Sequence, residues 1–276
     1  MATPSLTRHH LAGVLGPLLI DLRTSDRGRA RPAVILVHGF KGFKDWGMFP
    51  GVADRIARAG FTTLSFNLSG SGVDGAGHFA WPERFGHNTF SAELEDLRRV
   101  LNALASGELG LAPTTRFGLV GPSRGGAIAI LAAAGDPRVA TLVTWAAIAG
   151  VDRWPDQHQA WRERGRLDVV NARTGEVLPL YPDVLDDIET NREALDIPAA
   201  AGRLSIPWML VHGDADVSVP PEEARLLVRA AGAHPPRVIF MKGSGHTFGA
   251  THPLAAEPAD LVVVVDETVK WLGRYL

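Results

Sequence analysis

The stretch "LVGPSRGGAIAI", Leu119 to Ile130, begins with apolar residues of strand type and ends with small residues of helix type. Between them stands Gly121-Pro122-Ser123-Arg124-Gly125, so Ser123 falls in the turn from the strand "FGLVG" to the helix "GGAIAILAAA". A tight strand-to-helix turn holds its central residue in strained geometry and projects that side chain above the sheet. Bulky residues at positions 121 and 125 would collide with the adjoining strand and helix. The first helical turn also leaves N–H groups without intrahelical acceptors, so positive potential gathers beside Ser123. The pentapeptide matches G-x-S-x-G, a pattern that presents a serine as a nucleophile when a strand precedes it and a helix follows.

Outward from this turn the chain alternates. "AVILVHGF" (33–40) is a short β-branched run, "FPGVADRIARAG" (49–60) has apolar residues at helical spacing, and "FTTLSFNL" (61–68) is again a strand. "SAELEDLRRVLNAL" (91–104) places Leu94, Leu97, Leu101 and Leu104 on one helical face. After the serine turn come the strand "VATLVTWAAI", the strand "IPWMLVHG", the helix "PPEEARLLVRAAG" and the strand "PRVIFMKG". "LVVVVDETVKWLGRYL" favours a strand locally, but its 3.6-residue continuation predicts a closing helix. Strands separated by helices of this length predict an α/β fold with a mostly parallel sheet covered on both faces. The rhythm breaks between about Val151 and Arg203, where the second half, Glu176 to Asp196, carries seven acids and one arginine. The expected organisation is a core of residues 1–150 and 204–276 with residues 151–203 inserted as a cap.

Composition narrows the function. The chain has 276 residues, 46% hydrophobic, with a formal net charge of -2 and no cysteine. No broad basic field exists to attract nucleic acid. Disulfides, thiolate nucleophiles and cysteine-ligated zinc are excluded. "LAGVLGPLLI" (11–20) imitates the core of a signal peptide, but Gly13, Gly16 and Pro17 interrupt it, and a pair of N-terminal strands is the better reading. No apolar run reaches the roughly 18 residues of a membrane span, and a cytoplasmic location is expected. "GSGVDG" (70–75) matches a dinucleotide-binding pattern, yet no helix is expected to open before about Thr89 to hold a pyrophosphate. The histidines show no metal-ligand spacing. Neither cofactor nor metal is expected.

Two further segments complete a chemical constellation. "LVHGDADVSVP" carries Asp214 and Asp216, and "MKGSGHTFG" carries His246, each following a strand. Serine, acid and histidine in this chain order form the triad sequence of a G-x-S-x-G hydrolase. A histidine can take the serine proton near neutral pH and return it to a leaving group, while a carboxylate on its far nitrogen fixes the tautomer. Asp216 is expected to fill that place and Asp214 to bond N–H groups of its turn. In "VHGFKGFKDW" the backbone N–H of Phe40 is the expected partner of the Arg124 N–H in an oxyanion hole. Lys41 and Lys44 are candidates to meet a substrate carboxylate. Trp154 and Trp161 are candidates to offer apolar surface to an acyl chain.

With these pieces the chain resembles the α/β-hydrolase superfamily over nearly its whole length, through the elbow, "HGF", "HGDADVSVP" and "GSGH". "HGFKGFKDWG", "SRGG" and the "DRW…NARTG…LP" stretch look like bacterial hydrolases allied to the dienelactone-hydrolase-like and serine-peptidase-like branches. True dienelactone hydrolases use a cysteine where this chain has Ser123. The resemblance implies hydrolysis of an ester or amide through an acyl-enzyme. The expected activity is that of a carboxylesterase for small or medium acyl groups, with a small ester as its partner. A peptidase for short peptides is the alternative within the chemistry, and a non-catalytic ligand receptor is the alternative outside it.

Overall fold

The structure is a computed structural model that describes residues 3–171 and 174–276. Its elements in chain order are β1 (Ser5–Ala12), β2 (Pro17–Thr24), β3 (Ala33–Leu36), α1 (Phe49–Arg58), β4 (Thr62–Asn67), α2 (Pro82–Gly86), α3 (Phe90–Ser106), β5 (Phe117–Pro122), α4 (Ser123–Ala133) and β6 (Val139–Trp145). There follow α5 (His158–Arg164), β7 (Leu167–Val170), β8 (Val177–Leu180), α6 (Asp183–Thr190), α7 (Ile197–Arg203), β9 (Trp208–Gly213), α8 (Pro221–Ala230), β10 (Arg237–Met241) and α9 (Ala259–Tyr275).

Eight strands form one sheet in the order β1-β2-β4-β3-β5-β6-β9-β10. Pairing is parallel from β4 to β10, and β2 runs antiparallel to both its neighbours. The period-2 rule divides β3, β5, β6 and β9 between two cores, while β4 gives Leu64 and Phe66 to one and turns Thr63 and Ser65 to the other side. In β3, Ala33 and Ile35 enter the cluster shared with α3, α4, α7 and α8, whereas Val34 and Leu36 enter the one shared with α1 and α9. Leu119 against Val120, Leu142 against Val143, and Leu210 against Met209 divide in the same way. This is why these strands read as continuous apolar runs rather than alternating ones.

The sheet and its two helical layers make an α/β-hydrolase fold. The "LVVVV" run is helical within α9, with Leu261, Val264, Val265 and Leu272 buried on the sheet. Thr89 caps α3, its Oγ1 accepting from Ala92 N at 3.1 Å, and Gly107 closes the helix at φ 79°. One expectation needs correction. A helix opens before Thr89, since Pro82 supplies the preset φ that starts the short α2. It does not begin at "GSGVDG", so those glycines present no helix N-terminus to a phosphate.

Within residues 151–203, β7 and β8 pair as an antiparallel hairpin. Trp161, Leu178, Leu180, Val184 and Leu185 gather with Phe85 of α2 in a small cluster of their own. Leu195, Ile197, Ala200 and Ala201 instead join the main core beside α4 and α8. Ala172 and Arg173 of the "NARTG" stretch lie outside the described residues.

Candidate active site

The turn between β5 and α4 carries the strain its glycines imply. Ser123 sits at φ 53°, in the left-handed region that non-glycine residues rarely enter. A β-carbon on Gly121 would lie 2.4 Å from the Gly125 carbonyl oxygen. One on Gly125 would lie 2.0 Å from the oxygen of Val37 and 2.6 Å from that of His38, at the end of β3. These are backbone atoms with nowhere to go, so only glycine fits. Gly39 approaches from the other side less tightly, because a β-carbon there would be 3.2 Å from Pro122 O and Ser123 Cβ and 3.6 Å from Arg124 N. The loop bearing Phe40 is thereby laid against the first turn of α4.

His38 anchors that loop from beneath. Its Nδ1 contacts Gly39 O at 2.9 Å and its Nε2 contacts the Leu68 N–H at 3.1 Å. A backbone amide can only donate, so Nε2 is the acceptor and the proton sits on Nδ1. Burial lowers the His38 pKa from 6.5 to about 4, with Arg124 adding to the effect and the bond to Gly39 opposing it.

The acid and the histidine stand on adjacent turns that are laced together. Asp214 N donates to Met241 O and Ala215 N to Ser244 O, both at 3.1 Å. Gly213 is needed here, as a β-carbon on it would lie 2.2 Å from Ser244 O. The structure brings Asp216, not Asp214, to the histidine, with His246 Nδ1 and Asp216 Oδ2 2.7 Å apart. Asp214 accepts instead from Gly243 N at 2.6 Å across the turn. The other Asp216 oxygen accepts from Ser218 N at 2.8 Å and Val219 N at 3.0 Å. Burial alone would raise the Asp216 pKa, but the bonds from His246, Val219 and Ser218 outweigh it and hold the carboxyl below its ordinary range.

Ser123 and His246 line one cavity of about 390 Å³, together with Phe40, Lys41, Phe90, Arg124, Ile148, Arg153, Trp154, Ser218 and Val219. That volume suits a small organic molecule. Trp154 reaches the cavity and packs edge-on to Phe40 at 5.9 Å. Trp161 does not. It is buried in the cluster of the inserted segment, where its Nε1–H donates to Leu180 O at 2.7 Å, and it stands behind Trp154, edge-on to that ring at 6.2 Å. Lys44 must also be moved away from the site, because it is buried against Asp21 at 3.1 Å and Asp45 at 2.6 Å. Lys41 lines the cavity with its Nζ 3.0 Å from Val170 O in the hairpin.

The sequence reading did not single out Phe90, Ile148, Arg153, Ser218 or Val219. Nor did it find the network behind Arg124, whose Nε–H donates to Glu93 Oε2 at 2.8 Å while Asn88 Nδ2 donates to Glu93 Oε1 at 2.6 Å. A buried glutamate in the first turn of an amphipathic helix was the one available signal, since an isolated carboxylate is not tolerated there. Burial pushes the Glu93 carboxyl upward against the pull of Arg124.

Comparison with known proteins agrees with this fold. The family model described as the alpha/beta hydrolase fold matches residues 32–194, more than half of the chain. The chain is 23% identical over 252 residues to the 2,6-dihydropseudooxynicotine hydrolase of Paenarthrobacter nicotinovorans, a match covering 85% of this chain and 60% of that protein. The chain spans 60% and 44% of the lengths of the curated relatives it matches. Among solved structures it is similar to Est1E of Butyrivibrio proteoclasticus, with a TM-score of 0.69, 17% identity and coverage of 97% of this chain and 98% of that one. It is also similar to a puromycin-hydrolyzing peptidase of Mycobacterium tuberculosis, with a TM-score of 0.68, 18% identity and coverage of 99% and 39%. At these identities the likeness to the solved structures is one of fold.

Proposed function

The chain belongs to the α/β-hydrolase family, and from that premise we propose that it is a serine hydrolase cleaving a carboxylic ester through an acyl-enzyme. One observation carries the reading. Ser123, strained at φ 53° at the start of α4, faces the same cavity as a histidine whose far nitrogen is 2.7 Å from a buried carboxylate.

In this reading Ser123 Oγ attacks the acyl carbonyl as His246 Nε2 takes its proton. The bond from Nδ1–H to Asp216 keeps Nε2 unprotonated beforehand and stabilises the imidazolium afterwards. The N–H groups of Phe40 and Arg124 receive the oxyanion. The Arg124 N–H is suited to this because the first turn of a helix offers it no intrahelical acceptor. His246 then passes its proton to the departing alkoxide, leaving the acyl group on Ser123. Water enters, loses a proton to the same nitrogen and attacks the ester carbon. Collapse of that intermediate releases the acid, and the proton returns to Ser123. The balance is one ester and one water consumed, one acid and one alcohol released.

The cavity favours small or medium acyl groups, with Phe40, Phe90, Ile148 and Trp154 as its apolar wall. An alkoxide or phenolate leaves with less help from a proton than an amine does, so esters are expected to react faster than matched amides. Purified protein assayed on matched p-nitrophenyl esters and p-nitroanilides tests this. The expected result is a higher kcat/KM for the ester in each pair. A higher value for the anilides would replace the esterase reading with a peptidase.

A further inference from the structure

Resting on the serine-hydrolase reading, we propose that the substrate carries a carboxylate a few bonds from its scissile carbonyl, and that Arg153 binds it. Among the described residues the cavity beside Ser123 has three cationic residues on its wall, Lys41, Arg124 and Arg153, and no Asp or Glu. The carboxylates that balance the two arginines, Glu93 and Glu223, are not part of that wall. The Arg153 side chain keeps 29% of its surface exposed against 18% for Glu223, so that ion pair turns its cationic partner outward, whereas the Arg124 side chain, 7% exposed, lies buried against the Phe90 ring.

Both arginines are held in place before any ligand arrives. Arg124 has its Nε–H on Glu93 at 2.8 Å and an Nη2–H on Asn88 O at 3.4 Å, and its guanidinium lies 3.7 Å from the centre of the Phe90 ring. Arg153 places Nη1 2.8 and 2.9 Å from the two Glu223 oxygens, and Glu223 is itself fixed by the Ala149 N–H at 2.7 Å. A guanidinium has five N–H donors, and these contacts occupy a minority of them on each side chain. The remainder form the forked, planar arrangement that suits a carboxylate. The rest of the wall is largely Phe40, Phe90, Ile148 and Trp154, poor competitors for those donors. Beside these apolar side chains a carboxylate gains more from such bonds than it would on a fully solvated surface. The substrate that answers this wall has a short carbon skeleton with an ester at one end and an acid at the other.

The test compares esters of similar size that carry or lack this charge. Monomethyl glutarate is set against methyl hexanoate, with the acid on the acyl side. 4-Carboxyphenyl butyrate is set against 4-carbamoylphenyl butyrate, a neutral ester whose phenolate leaves at least as readily, with the acid on the leaving side. In at least one pair the anionic ester should show a kcat/KM about tenfold higher or more, the scale of one charge-assisted hydrogen bond. That preference should shrink as salt is raised. Arg153→Gln should remove most of the preference and Arg153→Lys should keep part of it, a pattern that mere loss of packing would not give. If the neutral member is preferred in both pairs while hydrolysis still requires Ser123, this inference falls and the serine-hydrolase reading stands. If neither pair nor any simple ester is hydrolysed, both fall together.

Discussion

Asp216 and Asp214 are the same residue type two positions apart in one turn, and geometry separates what composition cannot. Asp216 is buried, with one oxygen tied to two backbone N–H groups and the other facing His246 Nδ1. In an Asp216→Asn variant the amide oxygen would stay with the backbone donors, which have no other acceptor of that shape. Its NH₂ would then meet Nδ1 and force that nitrogen to accept. The histidine proton would move to Nε2, where the serine proton must go. A loss of roughly ten-thousandfold in kcat is expected, with the fold retained. Asp214→Asn leaves an oxygen for Gly243 N and should cost at most about 1 kcal/mol of stability, with kcat nearly unchanged. Comparing kcat and Tm for the two variants decides between these roles. A larger kcat loss at Asp214 would exchange them.

At the scale of elements, the site depends on how the ends of β3, β4 and β5 are held together. His38 is the fastener, joining the Gly39 carbonyl after β3 to the Leu68 amide after β4. It does so as a neutral ring, and its pKa falls from 6.5 to about 4 in the fold. Between those values the unfolded chain binds the proton and the folded chain does not. Stability from this group is therefore complete above about pH 6.5, declines as pH falls, and is exhausted near pH 4. The gap corresponds to about 3 kcal/mol. Urea midpoints measured from pH 7 to 4.5 should fall more steeply for the wild type than for His38→Asn, though the variant starts lower at pH 7. Parallel slopes would show that His38 does not titrate as described. The sheet strands and the main helices were legible in sequence because most central strands must satisfy two cores at once. The short α2 and the elements of residues 151–203 were not, because segments of four to eight residues leave too little period to detect.

Across the whole molecule, the readable and the unreadable parts have different physical origins. Ser123, Asp216 and His246 were legible because backbone geometry constrains their neighbours. Glycines 121, 125 and 213 stand where any side chain would strike a main-chain atom, and such constraints leave local patterns. The cavity wall was legible only in part: Phe40, Lys41, Arg124 and Trp154 stand out in sequence, but the arginine pairings do not, since Arg153 is oriented by Glu223, 70 positions away, and Arg124 by Glu93, 31 positions away. Lys44 and Trp161 were misplaced for the same reason, because nothing local distinguishes a lysine buried on Asp21 or a tryptophan filling a small cluster from one facing a substrate. The central claim concerns only the first kind of residue, that Ser123 is the nucleophile. Its most direct test is to treat the purified protein with a fluorophosphonate and map the adduct by peptide mass spectrometry, with ester turnover of Ser123→Ala measured alongside. One adduct is expected, on Ser123, with a loss of turnover on the order of a millionfold in the folded variant. An adduct on another residue, or a Ser123→Ala protein that keeps a tenth of its turnover, would contradict it.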